Sequence, residues 1–131
     1  MSISKTDFDN PEVRTHLGKM IMQLFALWEL DTASQLNLLG LSETSRALLS
    51  KLKRGDAPLA GSRDTLDRVG WLLAIHKALR LLYPKNPQLR YSWISRRNQA
   101  FNNYQPLEIM KQEGLIGLAR VARYLDFLRG Q

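Results

Sequence analysis

Residues 32–55 read TASQLNLLGLSETSRALLSKLKRG. Thr32 suits the cap of a short helix over 32–40, with Leu36 and Leu39 facing inward. Gly40 suits the left-handed position that ends a helix. After Leu41, Ser42 is placed as the N-cap of a further helix over 43–54, whose apolar positions are Ala47, Leu48 and Leu52 and which Gly55 ends. A helix, a Gly-containing turn of a few residues and a second helix is the layout of a helix-turn-helix. A helical hairpin with a basic face, built on Lys51, Lys53 and Arg54, fits the same segment equally well.

On either side the pattern stays helical. Asn10-Pro11-Glu12 has an N-cap residue, a Pro at the first helical position and an acid in the first turn. Val13, Leu17, Ile21, Leu24 and Trp28 follow at steps of three and four, one apolar stripe of a helix about 18 residues long. Residues 57–62 are loop by composition. A long helix is expected over 65–83, capped by Asp64, with Leu66, Val69, Leu73, His76, Leu79 and Tyr83 on one face and Pro84 as its stop. Trp71 and Leu72 fall off that stripe and predict spare apolar surface. Asn86-Pro87 opens a short helix through Trp93, residues 95–105 are polar and loop-like, and Gln105-Pro106 opens another short helix that Gly114 ends. The last helix carries Leu115, Leu118, Ala122, Leu125 and Leu128. No strand-like alternation and no internal repeat is found, so the fold class is all-α: an N-terminal helix-turn-helix bundle, a long connecting helix and a small C-terminal helical module. The seam near 84–86 divides the chain into domains 1–83 and 84–131.

With 131 residues the chain can bury a core without staples, and it has no Cys to make them. Apolar residues at 44% and charged residues at 24% are ordinary for a globular domain. The longest uncharged apolar run, residues 69–75, is far short of the roughly 20 residues of a membrane span. Residues 1–10 hold no apolar core of a signal peptide. A cytoplasmic protein is expected. The 19 Lys and Arg against 12 Asp and Glu give +7, with residues 1–31 at −2 and the three following stretches, 32–63, 64–90 and 91–131, at +3 each. Such a balance points toward an anionic partner without naming it.

Catalytic signals are missing. His16 and His76 lie on different helices without a second ligand at helical spacing, and His76 on an apolar face reads as a core histidine. Asp7 and Asp9 read as solvated charge, the eight Gly make no phosphate loop, and Ser42, Ser45 and Ser50 have no neighbouring base. The sequence therefore predicts no enzyme, no cofactor and no metal site.

If residues 36–54 are a helix-turn-helix, the start of its second helix enters the major groove. Glu43, Thr44, Ser45 and Arg46 would then face base edges or phosphates, with Arg46 suited to guanine through its planar fork. Ser50, Lys51, Lys53 and Arg54 complete the expected DNA-binding set, the basic three on phosphates. Leu36, four residues before Gly40, occupies a place where helix-turn-helix sequences prefer a small residue. It predicts an opened angle and weaker DNA binding. Because one such unit binds weakly, a homodimer on a palindromic operator is expected.

The C-terminal stretch Trp93-Ile94-Ser95-Arg96-Arg97-Asn98-Gln99-Ala100-Phe101-Asn102-Asn103-Tyr104-Gln105-Pro106-Leu107, followed by Glu113-Gly114 and then residues 121–130, resembles the toxin-binding domain of the Xre/MbcA/ParS antitoxin family. Trp93, Asn98, Phe101, Pro106, Leu107, Gly114, Val121, Leu125 and Gly130 fill the places of that pattern, and Arg97 stands where it usually has Pro. In this family an Xre-like helix-turn-helix precedes the module, as residues 15–83 would here, so the resemblance covers about 115 residues. It implies the antitoxin of a type II toxin–antitoxin system. The implied partner is a RES-domain toxin that consumes NAD, blocked by burial of its active-site mouth. Operator DNA would be the second partner, in an autorepressing complex, with higher toxin–antitoxin hetero-oligomers. Trp93 and Phe101 would be packing anchors. The toxin-binding residues are sought among the exposed polar ones: Arg96, Asn98, Asn102, Asn103, Arg120, Arg123 and a projecting tail of Arg129, Gly130 and Gln131. The alternative is a DNA-binding transcriptional regulator whose C-terminal half is only a dimerisation module, with no toxin partner.

Overall fold

The computed structural model describes residues 5–131, and these form eight α-helices joined by short turns, with no strand among them. In order they are α1 (Lys5–Phe8), α2 (Pro11–Leu27), α3 (Thr32–Leu39), α4 (Arg46–Arg54), α5 (Arg63–Leu82), α6 (Pro87–Ser92), α7 (Pro106–Glu113) and α8 (Leu115–Arg129). The all-α expectation holds. The chain forms two compact units, residues 1–69 and 70–131. That seam is one of packing and falls within α5.

In the first unit, Asn10 caps α2 by accepting a hydrogen bond from the Glu12 backbone N–H, and Pro11 occupies its first turn. Leu17, Ile21, Leu24, Phe25 and Trp28 are buried along it. α2 packs on α4, and Gly18 is where the two come close: a Cβ there would lie 3.1 Å from Leu52. Arg14 ties the neighbouring chain to α2 through bonds from its guanidinium to the Phe8 and Leu59 carbonyls, at 2.8 and 3.0 Å.

The segment 32–55 departs from expectation in detail. Asp31, not Thr32, caps α3, accepting from the Ser34 N–H at 2.8 Å. Gly40 and Gly55 both take the left-handed conformation, as their positions required. Ser42 makes no cap bond; its hydroxyl pairs with that of Thr44 at 2.6 Å. Residues Glu43–Ser45 form a 3-10 turn, and α4 begins only at Arg46. Leu49 and Leu52, rather than Ala47 and Leu48, are its buried positions.

The long helix is present, but Ser62 caps it by accepting from Thr65 N–H, while Asp64 pairs with Arg68 at 3.0 Å. Its buried residues are Thr65, Val69, Leu72, Ile75, Ala78 and Leu79, a stripe rotated from the expected one. Leu72 is 0% exposed, so it is not spare surface.

In the second unit, Asn86 caps α6, and Arg90 donates to the Tyr83 and Pro84 carbonyls, closing the C-terminal end of α5. Gln105 and Glu108 form a reciprocal capping box at the start of α7, with Pro106 in the first turn. Such boxes satisfy two backbone donors that the helix itself cannot. α7 and α8 pack together closely, and Gly117 makes this possible: a Cβ there would meet the Ile109 carbonyl oxygen at 2.3 Å.

Candidate functional site

A row of aromatic side chains runs from the core of the second unit to its surface. Phe101 is 2% exposed and meets Tyr124 edge-on at 5.2 Å. Trp93, also buried, stacks on Tyr124 at 6.3 Å, and Tyr124 leads on to Phe127 at 6.3 Å. Trp93 and Phe101 are thus packing anchors, as the sequence implied. Phe127, at the end of this row, is exposed.

The polar stretch 95–105 is an ordered loop. Its ends meet in an isolated bridge, with Asn98 N–H donating to the Tyr104 carbonyl and Asn103 N–H to the Asn98 carbonyl. The Asn98 side chain accepts from Ala100 N–H and caps a 3-10 turn over Gln99–Phe101. Asn102 and Asn103 both have positive φ, 54° and 66°. Asn tolerates that region better than other residues with a Cβ, which is why two of them stand here. Arg97, in the place of the usual Pro, donates to the Asn103 carbonyl and so ties the loop from its side chain.

The expected toxin-binding residues divide into three places. Arg96, Asn98, Asn102 and Asn103 lie on or beside this loop. Arg96 bonds the Ser92 hydroxyl, and Asn98 is only half exposed because it holds the loop together. Arg120 and Arg123 lie on the outer side of α8. The tail does not project: Gly130 N–H bonds back to Asp126 and Phe127, Arg129 pairs with Asp126 at 3.3 Å, and the Gln131 amide donates to the Phe127 carbonyl. Carbonyls at a helix end need partners, and here the tail supplies them.

α8 carries what the sequence reading missed. Leu118, Val121, Ala122 and Leu125 are buried; on the opposite side Ile116, Arg120, Arg123 and Phe127 follow at steps of four, three and four, one continuous face. Ile116 is 75% and Phe127 59% exposed. Arg120 is held by Glu113 at 2.8 Å and lies over the Phe101 ring at 5.5 Å. Arg123 makes no ion pair or hydrogen bond among the described residues. Leu115, Ile116, Ala119, Arg120 and Arg123 line a shallow groove of about 470 Å³.

Charge separates the two units completely. Residues 70–131 contain ten Lys and Arg against three Asp and Glu, while residues 1–69 contain nine of each. The entire +7 belongs to the second unit. The first is neutral in sum but polarised. Arg46, Ser50 and Arg54 stack at steps of four along α4, with Lys53 beside them, and Lys51 also lies exposed on that helix. Glu43 and Thr44 are exposed and Ser45 half-buried on the preceding 3-10 turn. Arg54 is engaged by Asp56 at 2.8 Å. Basic residues in the last turn also favour the helix on their own, by opposing its dipole.

His76 stacks on Tyr91 at 6.2 Å, and its buried Nδ1 has no hydrogen-bond partner. Burial, then the nearby Arg80 and Arg90, lower its pKa, so it is held neutral. It is a packed histidine. Among the described residues no His, Asp and Glu cluster could hold a metal ion, and no helix is long and apolar enough to cross a membrane.

A basic helical module with exposed apolar side chains beside free arginine has the make-up of a protein-binding unit. Residues 78–130 match the family model of the antitoxin Xre/MbcA/ParS C-terminal toxin-binding domain. The chain is also similar to an uncharacterized protein, y4oB, of Sinorhizobium fredii (strain NBRC 101917 / NGR234), with 34% identity over 103 residues, 79% of this chain and 76% of the relative. The chain belongs to the Xre/MbcA/ParS antitoxin family. Its role is that of an antitoxin, and its C-terminal part takes a toxin as partner.

Proposed function

We propose that the protein neutralises a RES-domain, NAD-consuming toxin by covering the mouth of its active site with residues 84–131, and that residues 1–83 repress its own operon. The observation that carries this is the run Trp93, Asn98, Phe101, Pro106, Leu107, Gly114, Val121, Leu125 and Gly130, which follows the family's toxin-binding pattern within the matched span 78–130. An antitoxin that blocks by burial needs no catalytic group of its own, only a surface complementary to the rim it covers. The loop residues Arg96, Asn98, Asn102 and Asn103, the helix residues Arg120 and Arg123, and the terminal Arg129, Gly130 and Gln131 are the proposed contacts. Coexpression with a RES-domain toxin, followed by co-purification and an NAD-hydrolysis assay, is the test. A stable complex with suppressed hydrolysis is expected. A toxin that stays fully active in the presence of excess antitoxin would refute the mechanism.

The DNA half rests on the exposed row of Arg46, Ser50 and Arg54 with Lys53 and Lys51, and on Glu43, Thr44 and Ser45 at the turn before it. In this reading Arg46 reads base edges and the lysines hold phosphates. The neutral sum of residues 1–69 makes binding depend on that one row, and on doubling it in a homodimer.

A further inference from the structure

We propose that the toxin docks on the outer face of α8, and that the toxin surface received there is acidic: its carboxylates meet Arg123 and Arg120, and its apolar side chains cover Ile116 and Phe127. This rests on the antitoxin reading and gives that partner's contact surface a chemistry. Three observations converge on it. The whole net charge of the protein lies in residues 70–131, the unit that contains all of the matched span. A +7 unit attracts an acidic partner at long range and speeds encounter. Within that unit, Ile116 and Phe127 are among the most exposed large apolar side chains, and only they share a helix face with two arginines. Beside Ile116 lies the groove lined by Ala119, Arg120 and Arg123, large enough to seat a partner side chain.

The two arginines differ in readiness. Arg120 is pinned between Glu113 and the Phe101 ring, so its orientation is set before binding. Arg123 has no such partner, and an incoming carboxylate is the group that would order it. Aromatic and arginine side chains are the usual carriers of binding energy at interfaces, where apolar neighbours keep water from the ion pair. Duplex DNA is the other polyanion that a +7 unit attracts, but the exposed Ile116 and Phe127 have no use against a phosphate backbone.

The test uses full-length protein and a catalytically silenced RES-domain toxin. Arg123→Glu and Ile116→Asp should each raise the Kd at least tenfold, about 1.4 kcal/mol, without changing helical content or melting temperature. Leu81→Asp, at another exposed apolar site, on α5, should leave the Kd within twofold. The association rate of the parent should fall severalfold between low and high salt, and that of Arg123→Glu should fall less. If the parent binds the toxin and both α8 variants bind as tightly, the docking face is wrong while the antitoxin reading stands. If these variants lose operator DNA and keep the toxin, the face serves nucleic acid and the proposal is overturned. If the parent does not bind the toxin at all, both fall together.

Discussion

Two glycine-to-alanine substitutions, chemically identical, should move stability in opposite directions. In a helix interior Ala is favoured over Gly by about 0.5–1 kcal/mol because the unfolded glycine loses more freedom on folding. Gly70 lies inside α5, and a methyl group there meets nothing within 4 Å. Gly70→Ala should therefore gain nearly the whole increment. Gly117 also lies in a helix, yet its Cβ would stand 2.3 Å from the Ile109 carbonyl oxygen and 2.9 Å from Glu113 Cβ. The first obstacle is backbone and cannot swing away, so α8 must retreat from α7 by about an ångström to restore ordinary contact. That retreat loosens Met110, Leu118 and Val121, which are buried in this unit. Overpacking of this kind costs about 1–3 kcal/mol, and a rigid obstacle puts it at the upper end. After subtracting the propensity gain, Gly117→Ala should lose about 2 kcal/mol. For a chain of this length about 1 kcal/mol moves the melting temperature by about 3–6 °C. Thermal unfolding followed by circular dichroism should thus show Gly70→Ala a few degrees above the parent and Gly117→Ala roughly 6–12 °C below it. A Gly117→Ala protein that melts at or above the parent would refute the close α7–α8 crossing.

The remaining predictions concern pH and DNA. Because the folded pKa of His76 is lowered, protonation favours the unfolded chain; its contribution is complete above the ordinary value of about 6.5 and is lost as the pH falls below it. His76→Gln should flatten the fall in melting temperature between about pH 7 and pH 5, and an unchanged slope would show that His76 does not titrate against folding. Arg46→Ala should weaken operator binding by about 1–3 kcal/mol and relax specificity. Lys53→Ala should weaken all sequences alike and flatten the salt dependence. If both bind the operator like the parent, α4 is not the recognition helix.

What the sequence disclosed depended on how local the signal was. Asn10-Pro11, Asn86-Pro87 and Gln105-Pro106 mark helix starts by chemistry within a few residues, and all three helices begin there. Gly40 and Gly55 end helices for an equally local reason. The buried face of α5 was not local. Leu66, Trp71, Leu72, Leu73, Leu81 and Leu82 surround that helix, so periodicity alone fits more than one stripe, and packing selected Thr65, Val69, Leu72, Ile75 and Leu79. A 3-10 turn at Glu43–Ser45 stands in place of a helical turn, and the Ser42 hydroxyl pairs with that of Thr44 rather than with a backbone N–H. In the candidate site, Trp93 and Phe101 were legible from the family pattern. Ile116 and Phe127 fall off the expected stripe of Leu115, Leu118, Ala122, Leu125 and Leu128, and an off-stripe apolar residue carries no signal of its own. Their spacing from Arg120 and Arg123, rather than from Leu118, was the signal that could have found them. The tail was expected to project because nothing in sequence shows that Gly130 and Gln131 close the last turn of α8.

A 1–83 fragment would keep Leu72, Ile75, Ala78 and Leu79, which are buried residues of the second unit, so its solubility must be checked beside a 1–69 fragment that ends at the packing seam. The most direct measurement is growth and cellular NAD in cells that express the RES-domain toxin together with the full chain or with either fragment. The full chain should restore both growth and NAD, and soluble 1–83 and 1–69 should restore neither. Full rescue by a fragment without residues 84–131 would contradict this.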